Sequence, residues 1–169
     1  MKKKILIISY YWPPAGGPGV QRWLKFTKYL PEFNIVPVLF VPENANYPIK
    51  DNSLNSEVSK DLKIIKLPIF ELSSFLPRLK SLNSIRSGNI SKNKNQSILK
   101  KVFFFIRGNF FIPDMKIFWK RNSVNFLENY ISENNIETIV TTGPPHSLHL
   151  IGLELKRKLH INWISDFRD

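Results

Sequence analysis

Cysteine is absent from the 169 residues of this sequence, and its absence excludes thiol catalysis, disulfide bonds and zinc or iron–sulfur sites built on thiolates. A chain of this length can bury about two thirds of its unfolded surface in a single domain, so it does not need such cross-links for stability. A sequence without cysteine fits a reducing compartment, and we therefore expect a cytoplasmic location.

Long apolar runs are also missing. No stretch approaches the roughly 20 uninterrupted apolar residues that a membrane-spanning helix needs, so we expect any membrane contact to be peripheral. The basic N-terminus, residues 1–4, precedes only four aliphatic residues, Ile5 to Ile8. This run is too short for the apolar part of an export signal, and we interpret it as a strand.

Acidic residues are scarce, because 13 Asp and Glu face 25 Lys and Arg and leave a net charge of +12. Most of the excess lies between Arg78 and Arg121, where eleven basic residues accompany a single acid, Asp114. Such a block predicts an anionic partner, which can be membrane lipid, a phosphorylated substrate or nucleic acid. A lysine-rich, solvated surface is the alternative interpretation.

Short apolar strands alternate with amphipathic helices along the chain. This alternation predicts an α/β fold with a Rossmann-like, doubly wound, mostly parallel sheet and helices on both faces. The predicted strands are Lys4–Ser9, Asn34–Val41, Leu62–Leu67, Glu137–Thr142 and Asn162–Ser165, and the predicted helices are Val20–Leu30, Pro113–Asn134 and Leu148–Leu159. We expect Phe118 to be a core residue of the second helix. The spacing of Glu154 and Lys158 predicts an ion pair within the third helix.

Residues 1–169 are expected to form one domain with an irregular basic and aromatic excursion at about residues 69–112. Within it, Ile98–Ile112 carries more phenylalanines than one helix face can bury. A basic helix of this kind can lie in a bilayer interface, where its lysines meet anionic head groups. Alternatively, the rings pack on the sheet. The candidate membrane contacts are Lys100, Lys101, Phe104, Phe105 and Arg107.

Three chemically distinctive segments each follow a predicted strand. They are Tyr10–Gly19 after the first strand, Gly143–Ser147 after the fourth and Asp166–Asp169 after the fifth. Because ligands of parallel sheets bind outside the carboxyl ends of the strands, we expect the three segments to line one cleft.

The glycine-rich turn does not match the G-x-G-x-x-G pattern of dinucleotide-binding proteins. Backbone N–H groups at Gly16, Gly17 and the start of the next helix are still candidates for holding a phosphate, with Arg22 as a counter-charge. The alternative is a turn that needs glycine only for its chain geometry.

The Pro-Pro-His-Ser turn places His146 at the start of a predicted helix. An imidazole there can donate or accept a hydrogen bond with a sugar or phosphate oxygen. His149 lies close enough to share a helix face, but without a neighbouring carboxylate the two histidines do not predict a metal site. Arg168 and the acids beside it either line the cleft or neutralise one another.

Taken in order, three motifs resemble the N-terminal half of bacterial family-4 (group 1) glycosyltransferases of the GT-B fold. The motifs are Y-Y-W-P-P-A-G-G-P-G-V-Q-R at residues 10–22, T-T-G-P-P-H-S-L-H-L-I-G at residues 141–152 and W-I-S-D-F-R-D at residues 163–169. The resemblance runs from Lys4 to the last residue.

In that family two Rossmann-like domains face each other across a cleft. The N-terminal domain mainly binds the acceptor and the C-terminal domain the nucleotide-sugar, and transfer retains the anomeric configuration without a metal or another cofactor. The resemblance implies that Gly16 and Gly17 approach the donor phosphates and that His146 bonds the transferred sugar as the catalytic residue. It also implies an acceptor side lined by Tyr10, Trp12, Arg22, Arg168 and Asp169.

The sequence does not contain the family's C-terminal domain, so the resemblance implies either an isolated acceptor domain or a truncated piece of the enzyme. In both cases we expect no transferase activity from this domain alone. In the whole enzyme we expect a lipid-linked acceptor, a role in cell-surface polysaccharide biosynthesis and a peripheral position at the inner face of the cell membrane. Nucleic acid is not an expected partner. The alternative is a non-catalytic Rossmann-like module that binds a nucleotide or an anionic polymer.

Overall fold

The computed structural model describes residues 2–70 and 112–168 of the chain. Most of the predicted excursion at residues 69–112 lies outside these residues, and so does Asp169. The candidate membrane contacts also lie outside them, namely Lys100, Lys101, Phe104, Phe105 and Arg107. Their predicted roles therefore stay predictions.

The described residues form an alternating series of strands and helices. In chain order these elements are β1 (Lys3–Ile8), α1 (Pro18–Tyr29), β2 (Ile35–Pro42), β3 (Lys63–Leu67), α2 (Trp119–Glu133), β4 (Thr138–Thr142), α3 (Ser147–Leu159) and β5 (Asn162–Asp166). Two 3-10 helices, Leu30–Phe33 and Asn52–Glu57, follow α1 and β2. No helix in the described part of the chain is long and apolar enough to cross a membrane.

All five strands lie parallel in one sheet with the order β3-β2-β1-β4-β5. This sheet, with its helices, confirms the predicted α/β class and Rossmann-like winding. The chain moves outward in one direction from β1 and in the other direction from β4, although these two strands are neighbours. In open parallel sheets, such a reversal leaves a crevice at the carboxyl ends of the two strands, where ligands bind.

The central strand β1 contributes to a core on each face of the sheet, because successive side chains of a strand point to opposite faces. Leu6 and Ile8 pack with residues of α2 and α3 on one face. Ile7 packs with residues of α1 on the other. All three side chains are fully buried, which stabilises the fold by about 1.5–3 kcal/mol for each. The prediction of helices on both faces is confirmed.

Helix α2 begins at Trp119 rather than at Pro113, and this corrects the predicted helix. Trp119 is 1% exposed and Phe118 is 53% exposed, so the expected core residue is wrong by one position. The preceding turns are held by Asp114, whose carboxylate accepts hydrogen bonds from the backbone N–H and the hydroxyl of Ser147, both at 2.8 Å. These bonds attach the chain before α2 to the start of α3.

The predicted ion pair within α3 is also wrong. Glu154 pairs with Lys120 of α2 at 2.6 Å, and Lys158 pairs with Glu128 of α2 at 2.6 Å. The two helices pack side by side, so each charged side chain finds its partner across the helix interface. Both pairs therefore join α2 to α3.

Candidate functional site

The turn between β1 and α1 depends on the backbone conformation of Gly17 and on a backbone hydrogen bond of Gly16. Gly17 immediately precedes α1 with φ 114° and ψ 163°, a conformation that is open to glycine and strained for other residues. The N–H of Gly16 donates to the carbonyl oxygen of Ile49 at 3.0 Å. A Cβ on Gly16 would lie 3.1 Å from Ile49 and 3.2 Å from Asp51. The predicted phosphate contact by the Gly16 N–H is therefore corrected, because that N–H fastens the turn to the neighbouring loop.

The aromatic residues of this turn fill the interior. Tyr10 is 2% exposed and Trp12 is 3% exposed. Tyr10 packs in the core on the α2 and α3 side, and its ring faces the Lys116 ammonium group at 4.7 Å. Trp12 packs in the core on the α1 side. The prediction that these two rings line the acceptor side is corrected, because their burial leaves almost no surface for a ligand.

A polar network at the carboxyl ends of β4 and β5 connects these strands to α1. Asp166, the last residue of β5, forms an ion pair with Arg22 of α1. It also accepts hydrogen bonds from the Thr142 hydroxyl at 2.9 Å and from the Trp23 indole at 3.2 Å. The Trp23 indole also lies 2.9 Å from the Thr142 hydroxyl oxygen. The carboxylate of Asp166 in β5 thus joins side chains from two other elements, α1 and β4.

Arg168 closes the same network from the segment after β5. Its Nε donates to the carbonyl oxygen of Gly143 at 3.0 Å, and its Nη2 donates to the Thr142 hydroxyl at 2.9 Å. The guanidinium also lies against Gly19, where any Cβ would collide with it. The three segments singled out in the sequence therefore meet at one edge of the sheet, with Arg168 in contact with the other two.

In this network, burial and the charge of a neighbouring group shift the pKa of Asp166 in opposite directions, and the same is true of Arg168. Burial of the Asp166 carboxyl acts to raise its pKa, but hydrogen bonds from Arg22, Thr142 and Trp23 and the Arg22 charge outweigh it, so the pKa lies below its ordinary value. Burial lowers the pKa of Arg168, and the neighbouring Asp166 opposes that shift. Two guanidinium groups thus share one carboxylate, which leaves an excess of positive charge at this edge.

A second cluster surrounds the turn after β4. His146 lies exposed immediately before α3, whereas His149, one turn further on, is 5% exposed. The Nδ1 atom of His149 lies 2.8 Å from the Thr141 hydroxyl. The ring of Phe167 lies 4.0 Å from the ring of His149 and 5.8 Å from that of His146, measured between centroids. Burial, and secondarily the nearby His146, lowers the pKa of His149.

Sequence patterns did not single out several residues that position this site. Thr141 and Thr142 end a strand, and Trp23 lies on the apolar face of α1, so each fits a purely structural role by sequence alone. Asp114 lies far from the site along the chain. Among residues 2–70 and 112–168, no cluster of three or more His, Cys, Asp or Glu side chains is arranged to hold a metal ion.

Comparisons with known proteins support the fold. No protein-family model matches the sequence, and no curated protein matches it. Among solved structures, the C-terminal domain of a hydrogenase from Pyrococcus furiosus is similar, with a TM-score of 0.50 and 12% sequence identity over 98% of this chain and 91% of that chain. At this level of identity the likeness concerns the α/β fold alone.

Proposed function

We propose that this chain is the acceptor-side domain of a retaining glycosyltransferase that moves a sugar from a nucleotide-sugar to an acceptor. The main support for this proposal is that the three motif segments of the chain meet at the carboxyl ends of β1, β4 and β5. There Arg168 contacts both Gly19 and Gly143. These are also the segments that resemble the family-4 glycosyltransferases. A crevice at the reversal of strand order is where such a fold binds its ligand.

In this proposal His146 is the catalytic residue that bonds the transferred sugar near the reaction centre. Its exposed position before α3 suits contact with a ligand. The donor phosphates lie near Gly17 at the start of α1, where the dipole of the helix N-terminus favours an anion. The excess positive charge of Arg22 and Arg168 over Asp166 favours a phosphorylated acceptor on the same side.

The test is replacement of His146 by Ala in the full-length gene product, assayed for transfer from nucleotide-sugars. We expect turnover to fall by about 10²–10⁴-fold, the range for loss of a group that moves a proton or holds the reacting centre, with the fold unchanged. His160→Ala is the matched control, because His160 lies at the opposite end of α3. Near-normal turnover of the His146 variant would refute the role.

The alternative, a non-catalytic module, is favoured by the net charge of +12. It predicts that the same protein binds a nucleotide or an anionic polymer such as heparin without transferring any sugar. Absence of transfer with every nucleotide-sugar tried, combined with salt-sensitive heparin binding, would favour this alternative over the transferase.

We further propose that residues 98–112 hold the protein at an anionic membrane surface, such as the inner face of the cell membrane, where a lipid-linked acceptor is available. Replacing Lys100 and Lys101 by Ala removes about 1 kcal/mol of attraction for each lysine. We expect weaker co-sedimentation with anionic vesicles, and the matched control replaces the exposed Lys2 and Lys3 instead. Equal binding of the unaltered protein to neutral vesicles, or no binding to either kind, would contradict the proposal.

A further inference from the structure

The Nε2 atom of His149 is buried and has no hydrogen-bond partner within the described residues. It faces Gly143, because a Cβ on that glycine would lie 2.7 Å from Nε2 of His149 and 2.9 Å from Nδ1 of His146. The two imidazole nitrogens therefore both face the position that a side chain of Gly143 would occupy. A buried polar group without a partner costs about 1–3 kcal/mol.

The neighbours of His149 favour a hydrogen on this nitrogen. The indole N–H of Trp163 can only donate, and it donates to the Thr141 hydroxyl oxygen at 2.9 Å. The Thr141 hydroxyl hydrogen is then available for Nδ1 of His149 at 2.8 Å. A neutral imidazole that accepts at Nδ1 carries its hydrogen on Nε2. In this form His149 directs an N–H donor toward Gly143 and His146.

We propose that His149 is a positioning residue for His146, and that the two imidazoles together bind one hydroxyl-type oxygen beside Gly143. The oxygen accepts from Nε2 of His149 and donates its hydrogen to Nδ1 of His146. His146 is then fixed in the form that carries its hydrogen on Nε2, the nitrogen on the other side of its ring. The oxygen is water in the free protein and a ligand hydroxyl in the complex.

Three features favour a hydroxyl over other ligands. The site offers one donor and one acceptor, and a hydroxyl or water supplies the matching acceptor and donor in a single atom. The lowered pKa of His149 keeps that imidazole neutral near pH 7. The ring of Phe167 lies 4.0 Å from the ring of His149 and 5.8 Å from that of His146, and this apolar surface suits an uncharged ligand better than an ion. That the ligand hydroxyl belongs to a sugar rests on the proposed function.

The test is the tautomeric state of each histidine in the 169-residue chain, measured by long-range proton–nitrogen NMR with ¹⁵N-labelled histidine at pH 8. We expect His146 and His149 to carry hydrogen on Nε2 alone. In His149→Phe, which keeps the ring but loses both nitrogens, the Nδ1–H form of His146 appears. In His149→Gln, whose side-chain amide supplies an N–H donor, the Nδ1–H form is absent again.

The proposal is overturned if His149 carries its hydrogen on Nδ1, or if His149→Phe leaves the tautomers of His146 unchanged. If His149→Phe does not fold, Thr141→Val serves instead, because valine keeps the shape and removes the hydroxyl; the Nδ1–H form of His149 should then appear. His160→Gln assigns the third histidine. A crystal structure at about 1.2 Å or better should place an oxygen at 2.7–3.2 Å from both nitrogens.

Turnover separates this inference from the proposed function. In an active transferase, His149→Phe should lower kcat by on the order of 10²-fold through misplacement of His146, and His149→Gln should recover most of it. Loss of kcat without recovery by Gln would argue against positioning. If no transfer is found but the spectra are as expected, the glycosyltransferase proposal fails and the two-histidine site is supported.

Discussion

The turns after β1 and β4 lie at the same edge of the sheet, yet they have different structural roles. The turn after β1 buries Tyr10 and Trp12 and uses the Gly16 N–H to bind the neighbouring loop. The turn after β4 leaves His146 exposed and places a second imidazole, His149, beside Gly143. The glycine-rich turn is therefore mainly a packing element, and the proline–histidine turn presents the polar chemistry.

This difference follows from what each turn covers. The first turn closes the end of both cores, because its aromatic rings pack on opposite faces of the sheet. The second turn leads directly into α3, whose start is already held by the Asp114 carboxylate. Within this turn Pro145 is buried, whereas Pro144 and His146 are exposed. Glycine in the first turn and histidine in the second serve different needs, although both turns precede a helix.

The largest expected effect is on stability at the first turn. Trp12→Ala removes a buried ring and leaves a cavity, so the free energy of unfolding should fall by about 3–5 kcal/mol. His146→Ala, at an exposed position of the second turn, should change it by no more than about 0.5 kcal/mol. Urea unfolding followed by circular dichroism measures both. Phe33→Ala, at a residue 73% exposed, is the control for loss of an aromatic ring.

Comparable losses for Trp12→Ala and His146→Ala would break the comparison between the two turns. Such a result would show that His146 also stabilises the fold, and the polar character of the second turn would then need another explanation.

A smaller effect is expected where the two turns are connected. Thr142→Val removes the hydroxyl that bonds Asp166, Trp23 and Arg168 and should cost about 1–3 kcal/mol, because three hydrogen bonds are lost although each partner keeps another one. Thr142→Ser keeps the hydroxyl and is the matched control. Chemical unfolding of both variants measures the difference. Equal stability of the valine and serine variants would mean that the network positions the segments without stabilising the fold.

The sequence predicts the fold much better than the site. Within residues 2–70 and 112–168, apolar periodicity located the five strands and the three α-helices, because burial leaves a regular pattern along the chain. The pattern failed at Phe118, which lies before the start of α2 in a segment where Asp114 bonds Ser147 at the start of α3. It also failed at Glu154, which pairs with Lys120 of α2. Both failures depend on contacts between segments that are distant in sequence.

Contacts between distant segments limit the prediction of the site even more than that of the fold. The position of Arg168 after β5 suggested a charged cluster, but only the folded chain shows that its guanidinium lies against Gly19 and bonds Thr142. The family resemblance implied that Trp12 lines the acceptor side, and its ring is buried instead. A sequence indicates which residues reach an edge of the sheet, whereas packing decides which side chains face outward.

The smallest expected effect is a dependence of stability on pH that belongs to the second turn alone. The pKa of His149 is lowered in the folded protein by burial and by His146, from an ordinary value of 6.5. At a pH between the folded pKa and 6.5, the unfolded chain therefore binds more protons at this residue than the folded chain. The free energy of unfolding should therefore fall as the pH drops below 6.5, by at most about 1.4 kcal/mol for each pH unit. Above pH 6.5 this contribution is constant.

Unfolding measured from pH 7.5 to pH 5 should show a shallower decline for His149→Phe than for the unaltered chain, and His160→Gln should keep the original slope that His149 causes. Residues 10–17 of the first turn include no histidine and no carboxylate, so we expect no such slope from the first turn. An identical pH dependence with and without His149 would mean that its imidazole is as accessible to protons in the folded chain as in the unfolded one. The second turn would then lack the buried imidazole on which its distinction from the first turn depends.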